Sequence, residues 1–185
     1  MPQLISPTNF DLTDPMMNRS IRSTVLSKDP EVLIETDAYK VVISDQGSFG
    51  RIAMIERSDD WMAYFVEYEV ANNFVGQPVT QVTLWRDPDS ASTQGITTRI
   101  FNDVLLGRWK MIMSDSQQTP DGQRFWRGRL AEAAARGLKV GLAKMAEETC
   151  TWFDPETQDY RVWISANDGW GTALSFQNLR YVISH

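Results

Sequence analysis

Two carboxylates, Glu67 and Glu69, stand two residues apart in the apolar run that begins at Trp61. If that run is a strand, both project from one face. An amine that is to act as a nucleophile must lose a proton, and a carboxylate can take it directly or through water. The same alternation also describes the solvated outer face of an antiparallel sheet, so both readings stand at this level.

A second group of residues lies where an apolar run, 79–86, gives way to the small polar stretch Ser92-Thr93-Gln94-Gly95-Ile96-Thr97. The first backbone N–H groups of a helix starting there lack intrahelical acceptors, and the helix dipole adds partial positive charge. Such an end accepts phosphate or diphosphate without lysines. Equally, Ser92 or Thr93 would serve as an ordinary cap. A third stretch runs from Ile112 to Trp126 and holds Ser114, Asp115, Ser116, Gln117, Gln118 and Thr119 in one polar turn. Its polar groups could hold a ligand, or they could form an Asx-type turn and an N-cap, with Phe125 and Trp126 as core anchors.

Other chemistries are set aside by what the sequence contains. The single histidine, His185, is the last residue of the sequence, and Cys150 is the single cysteine. Nucleophile–histidine triads, intrachain disulfides and Cys- or His-ligated metal are therefore disfavoured, and no metal ligands are assigned. The formal net charge of −6 argues against a nucleic-acid partner held by a basic field. No apolar run reaches the roughly 18–20 residues that span a bilayer. The N-terminus lacks a secretory pattern, so the expected address is a bacterial or host cytoplasm with no membrane partner.

The elements that must position these groups follow from period and punctuation. At 185 residues, 42% hydrophobic, the chain is expected to form one domain with a single core. Asp14-Pro15 predicts a helix start, with an N-cap acid and proline at the first helical position, over about 14–27. Short β-branched runs at 31–36, 39–44, 51–57, 61–70 and 79–86 read as strands. In the fourth, Met62, Tyr64, Val66, Tyr68 and Val70 are expected on one face. Ile96, Ile100, Phe101, Val104 and Leu105 mark an amphipathic helix expected to end at Gly107. A strand at 109–114, a helix opened by Thr119-Pro120 and closed by Arg136-Gly137, and a strand at 139–145 follow. The tail reads as strands at 151–153, 160–165 and 172–183. Antiparallel strands that feed a strand–helix–strand crossover give an α+β fold, with a mixed, largely antiparallel sheet carrying helices on its faces.

That order of elements resembles the GNAT superfamily of acyl-CoA-dependent N-acyltransferases. In that family a strand presents the acyl group to an amine, and the N-terminus of the following helix grips the diphosphate of CoA. The family loop reads Gln/Arg-x-x-Gly-x-Gly/Ala; in Ser92-Thr93-Gln94-Gly95-Ile96-Thr97, Gly95 matches, whereas Ser92 and Thr97 do not. Ser114, Asp115, Gln118, Thr119, Gly122, Phe125 and Trp126 match a Ser-Asp-x-x-Gln-Thr-x-x-Gly-x-x-Phe-Trp segment of small bacteriophage-encoded GNAT-like proteins. The resemblance covers about residues 79–142.

It implies a GNAT-like domain with its cofactor-binding core over about 61–145 and C-terminal strands over about 150–184. It further implies acetyl-CoA or another acyl-CoA as cofactor. Leu84, Trp85 and Arg86 would lie along the pantetheine arm, with a backbone N–H near Trp85 facing the thioester oxygen. Ser92, Thr93, Gln94, Gly95, Ile96 and Thr97 would hold the diphosphate, and Asp115 and Gln118 the cofactor amides or the acceptor. Glu67 or Glu69 would be the base. The family often protonates the departing thiolate with a tyrosine on the second helix; the corresponding zone here is Phe125-Trp126, which leaves water, Ser116 or Thr119. The implied acceptor is a primary amine of a small molecule or a protein. The alternative implied role is non-catalytic, a phage protein that binds a host metabolic enzyme and alters its output.

Overall fold

The computed structural model describes residues 12–72, 74–115, 120–167 and 178–185. Its backbone contacts divide into two compact units. The first contains residues 12–70 and Gln81–Val104; the second contains Ala71–Thr80 and Leu105–His185.

In the first unit, α1 (Pro15–Leu26) begins as its sequence dictates: Asp14 is the N-cap, its carboxylate accepts from Met16 N at 2.8 Å, and Pro15 opens the first turn. Strands β1 (Glu31–Glu35), β2 (Tyr39–Asp45), β3 (Phe49–Glu56) and β4 (Met62–Val70) form an antiparallel meander, with β5 (Val79–Arg86) next to β4. Helix α1 covers β2, β3 and β4 through a core of Leu12, Val25, Val42, Ala53, Ile55, Met62 and Phe65. Asn18 sits inside that contact. Its amide donates to Leu12 O at 3.1 Å and Met62 O at 2.9 Å and accepts from Met62 N at 3.2 Å, so this buried polar group is fully used.

Met62 is one departure from simple alternation. The β3–β4 register slips between Met54 and Ile55, which face Tyr64 and Met62 in turn. The extra residue, Ala63, bulges, and Met62 moves to the Phe65 face instead of sharing a face with Tyr64.

In the second unit, β5 pairs in parallel with β6 (Met111–Met113) through Val79–Ile112 and Thr80–Met113. Strand β9 (Leu179–Ser184) inserts antiparallel between β6 and β7 (Lys139–Lys144), and β8 (Thr149–Trp152) pairs with β7. Helix α4 (Pro120–Ala135) lies against β7 and closes at Gly137, φ +73°, as read from Arg136-Gly137. Every pairing whose register is described is antiparallel except β5 with β6, so the sheet is mixed and largely antiparallel in an α+β chain.

Two other expectations are corrected. The helix after β5 does not stop at Gly107. It runs as α2 (Ile96–Arg99), a π-helical segment Ile100–Leu106 and α3 (Gly107–Trp109), and terminates on Lys110 in the left-handed conformation, φ +62°. Ile100, Phe101, Val104, Leu105 and Leu106 are all buried, a set too closely spaced for one face of a 3.6-residue helix but compatible with the wider π turn. Strand β6 is accordingly shorter than 109–114. Residues 160–165 are not a strand: Tyr160–Ala166 is helix α5, capped by Asp159, whose carboxylate accepts from Arg161 N at 2.8 Å and Val162 N at 3.2 Å. No helix among the described residues is long and apolar enough to cross a membrane.

Candidate functional site

The site read from the sequence at the end of β5 lies within the first unit. Strand β5 leaves the sheet at Asp87, whose N–H bonds Ala63 O at 2.9 Å and whose carboxylate takes the Trp61 indole N–H at 2.6 Å and Asp89 N at 2.9 Å. The Ser90 hydroxyl then donates to Glu56 at 2.6 Å. Two side-chain ties therefore fix the loop to β3 and β4 before the short 3-10 turn Ala91–Thr93. Thr93 is buried and turns its hydroxyl back to Ser90 O at 2.8 Å, a structural duty rather than an exposed donor. Gln94 N bonds Ala91 O at 3.3 Å.

Gly95 then adopts φ +74°, with open space where a Cβ would stand. Its carbonyl accepts from Arg99 N at 3.1 Å, which starts the helix. Among the described residues no hydrogen bond engages the N–H groups of Ile96 and Thr97, as expected of first-turn donors. The Ile96 side chain is buried, while Gln94 and Gly95 are exposed. The exposed main chain of this turn, not the side chains of Ser92, Thr93 or Ile96, is what a ligand would meet. Ser92 instead lines a cavity of about 370 Å³ with Asp37, Glu56 and Arg57.

Beneath the helix start lies a residue to which the sequence assigns only a face of β4. Tyr64 is 0% exposed, and its hydroxyl has no well-formed hydrogen bond. Burial pushes its pKa well above the ordinary phenol value, although the Thr97 hydroxyl and the Arg86 guanidinium both favour the phenolate. Tyr64, Arg86 and Thr97 therefore form one polar cluster. Alternation on β4 gave Tyr64 its face, but nothing in the sequence linked it to Thr97, 33 positions on.

The remaining candidates separate. Leu84 is 4% exposed, so its side chain offers a ligand almost no surface. Trp85 packs onto the α1 core. Glu67 is 20% exposed at its side chain and bonds Arg51 Nε at 2.9 Å from the facing strand position. Glu69 faces Phe49 and is exposed. Asp115 belongs to the second unit. There its charge opposes the effect of burial, which lowers the Arg180 pKa. Ser114, beside it, ties β6 to β9 by accepting from Tyr181 N at 3.0 Å while its own N–H bonds Tyr181 O at 2.8 Å. Ser116 and Gln118 lie outside the described residues. Among the described residues no group of three or more His, Cys, Asp or Glu side chains is placed to hold a metal ion.

Comparison with protein-family models, curated proteins and solved structures finds no match to the chain.

Proposed function

We propose that the chain is a GNAT-like N-acyltransferase that takes an acetyl group from acetyl-CoA to a primary amine. One observation carries the reading: the Gly95 turn at the end of β5 leaves the N–H groups of Ile96 and Thr97 without a hydrogen bond among the described residues, next to an exposed, side-chain-free position. A diphosphate fits such a turn because two fixed donors and the helix dipole act together. The order of antiparallel strands, β5, helix and parallel β6 keeps the arrangement on which the family resemblance rests.

Bound there, acyl-CoA supplies an activated thioester. The chain's own contribution begins with the main chain of Leu84–Arg86, which offers amide groups along the extended arm of the ligand. Among the described residues Glu69 has no ion pair, whereas Glu67 is held by Arg51, and Glu69 takes the amine proton directly or through water. The new bond joins the amine nitrogen to the acyl carbon, the carbon–sulfur bond breaks, and the thiolate is protonated by solvent. The Tyr64–Arg86–Thr97 cluster holds the turn from below.

Isothermal titration with acetyl-CoA, followed by thiol release in the presence of an amine series, tests this. Micromolar binding with amine-dependent thiol release is the expected result. Gly95→Asn, which tolerates the left-handed turn, should bind less than about threefold more weakly. Gly95→Val, strained there by about 1–2 kcal/mol, should bind roughly tenfold more weakly. No saturation at about 1 mM removes the proposal. Binding without turnover redirects it to the second reading, a non-catalytic protein that modulates a host enzyme. The lack of a hydroxyl at Phe125-Trp126, where the family often carries a tyrosine, is the observation that favours this second reading.

A further inference from the structure

The second unit contains a cavity of about 340 Å³ whose walls include Arg127 from α4 and Tyr160, Ile164 and Ser165 from α5. Arg127 is the cation of that cavity, and it has no ion pair among the described residues. A guanidinium offers a planar fork of donors that matches a carboxylate better than any other side chain does. The Tyr160 and Ser165 hydroxyls add donors to the same lining, while Ile164 and the Tyr160 ring supply apolar surface.

The Tyr160 side of the cavity is held by ring contacts. Tyr160 meets Phe153 edge-on at 5.6 Å and stacks on Trp163 at 6.4 Å. Trp163 is 3% exposed and anchors α5 in the unit. An aromatic wall held by ring contacts, in one cavity with a guanidinium that has no ion pair among the described residues, is a pre-organised arrangement, which lowers the cost of ordering on binding. Partial burial raises the Tyr160 pKa, so this phenol remains a neutral donor near pH 7.

We propose that this α4–α5 cavity binds a small organic acid, with its carboxylate on the Arg127 guanidinium and its apolar body against Ile164 and the Tyr160 ring. The site is independent of the Gly95 turn. The cavity volume suits a ligand of metabolite size, near the lower end of such pockets, roughly 300–1,000 Å³.

The test titrates the intact chain with benzoate, acetate and inorganic phosphate. Heat is recorded together with the Trp163 indole N–H resonance, assigned by Trp163→Phe. Benzoate should saturate below about 1 mM and shift that resonance, with acetate weaker by roughly tenfold for want of an apolar body. Arg127→Ala, a change at an exposed helix position that leaves the fold intact, should weaken benzoate by about tenfold to a hundredfold. Arg127→Lys, which keeps the charge without the fork, should fall between the two, and Gly95→Asn should bind benzoate as the parent does. Phosphate binding as tight as benzoate overturns the organic-acid assignment. So does benzoate affinity unchanged in Arg127→Ala, or an absence of benzoate saturation at about 10 mM.

Discussion

Replacing Tyr64 by phenylalanine should stabilise the protein, the opposite of what removing a buried tyrosine hydroxyl usually does. The oxygen is fully buried and without a well-formed hydrogen bond, so it carries a desolvation cost of about 1–3 kcal/mol that folding does not return. Deleting it leaves a void of roughly 10–15 Å³, whose cost at about 24 cal/mol per Å³ is near 0.3 kcal/mol. The net gain is therefore about 1 kcal/mol or somewhat more, which corresponds to roughly 2–4 °C in Tm for a chain of this length. Urea unfolding at unchanged slope gives the free energy, and a thermal scan gives Tm.

The same residue sets a pH dependence. Its folded pKa is raised above the ordinary 10.0, so the native state holds its proton where the unfolded chain releases it. Stability from this source is complete below pH 10 and declines as pH climbs past that value, and Tyr64→Phe should flatten the decline. Thr97→Val supplies the control. If Thr97 completes a hidden hydrogen bond, Tyr64→Phe and Thr97→Val will couple by more than about 0.5 kcal/mol, and Tyr64→Phe will itself destabilise by about 1 kcal/mol. Either result would refute the assignment of Tyr64 as an unsatisfied group.

The two carboxylates of β4 should part company on mutation. Glu67→Gln should cost about 1 kcal/mol in urea melts through loss of its charge-assisted bond to Arg51, while the pH profile of amine acylation keeps its shape. Glu69→Gln should leave stability nearly unchanged and lower the acylation rate by about a hundredfold at neutral pH, measured as thiol release; the reverse assignment of the two effects sinks Glu69 as the base. Burial pushes the Cys150 thiol up to about 11, so the reactive thiolate is scarce at pH 8 and rises as pH approaches 11. Iodoacetamide should accordingly label the folded chain about a hundredfold more slowly at pH 8 than it labels the urea-unfolded chain, and equal rates would show that the thiol is not shielded.

Elements with chemical punctuation were legible in the sequence. The sequence predicts strand β5 at 79–86, delimited by Pro78 and by Asp87-Pro88, and the strand is Val79–Arg86. Helix α1 was announced by Asp14-Pro15. Helix α5 was not, because Tyr160-Arg-Val-Trp-Ile-Ser is a β-branched and aromatic run that favours a strand by propensity. Two facts override propensity there: the Asp159 cap, and the need to place Tyr160 and Trp163 on one side to meet Phe153, which spacing of three achieves only in a helix. The overrun past Gly107 has a similar cause. Burying Leu106 as well as Leu105 requires a π turn, and that tertiary demand leaves no mark in a 3.6-residue period. At the candidate site the Gly95 turn was legible because glycine followed a small polar stretch, whereas the Tyr64–Arg86–Thr97 cluster depends on which sheet face the helix start adopts.

The distinction between Glu67 and Glu69 is of a third kind, because it belongs to register and not to either residue. In the observed pairing Arg51 stands opposite Glu67 and Phe49 opposite Glu69, so Glu67 meets the Arg51 guanidinium, which lies over the Phe49 ring, and Glu69 faces a position without a cation. What pins that pairing is the intervening position, where Gly50 stands opposite Tyr68. A Cβ at residue 50 would overlap the Tyr68 phenol, so the tyrosine ring occupies the space a side chain would need. A slip of two residues would preserve every face yet set Ile52 or Ser48 against Tyr68, bringing a side chain to the position the phenol now fills. A glycine two strands from the Gly95 turn thus decides which carboxylate is left free, and hence which one can act as a base.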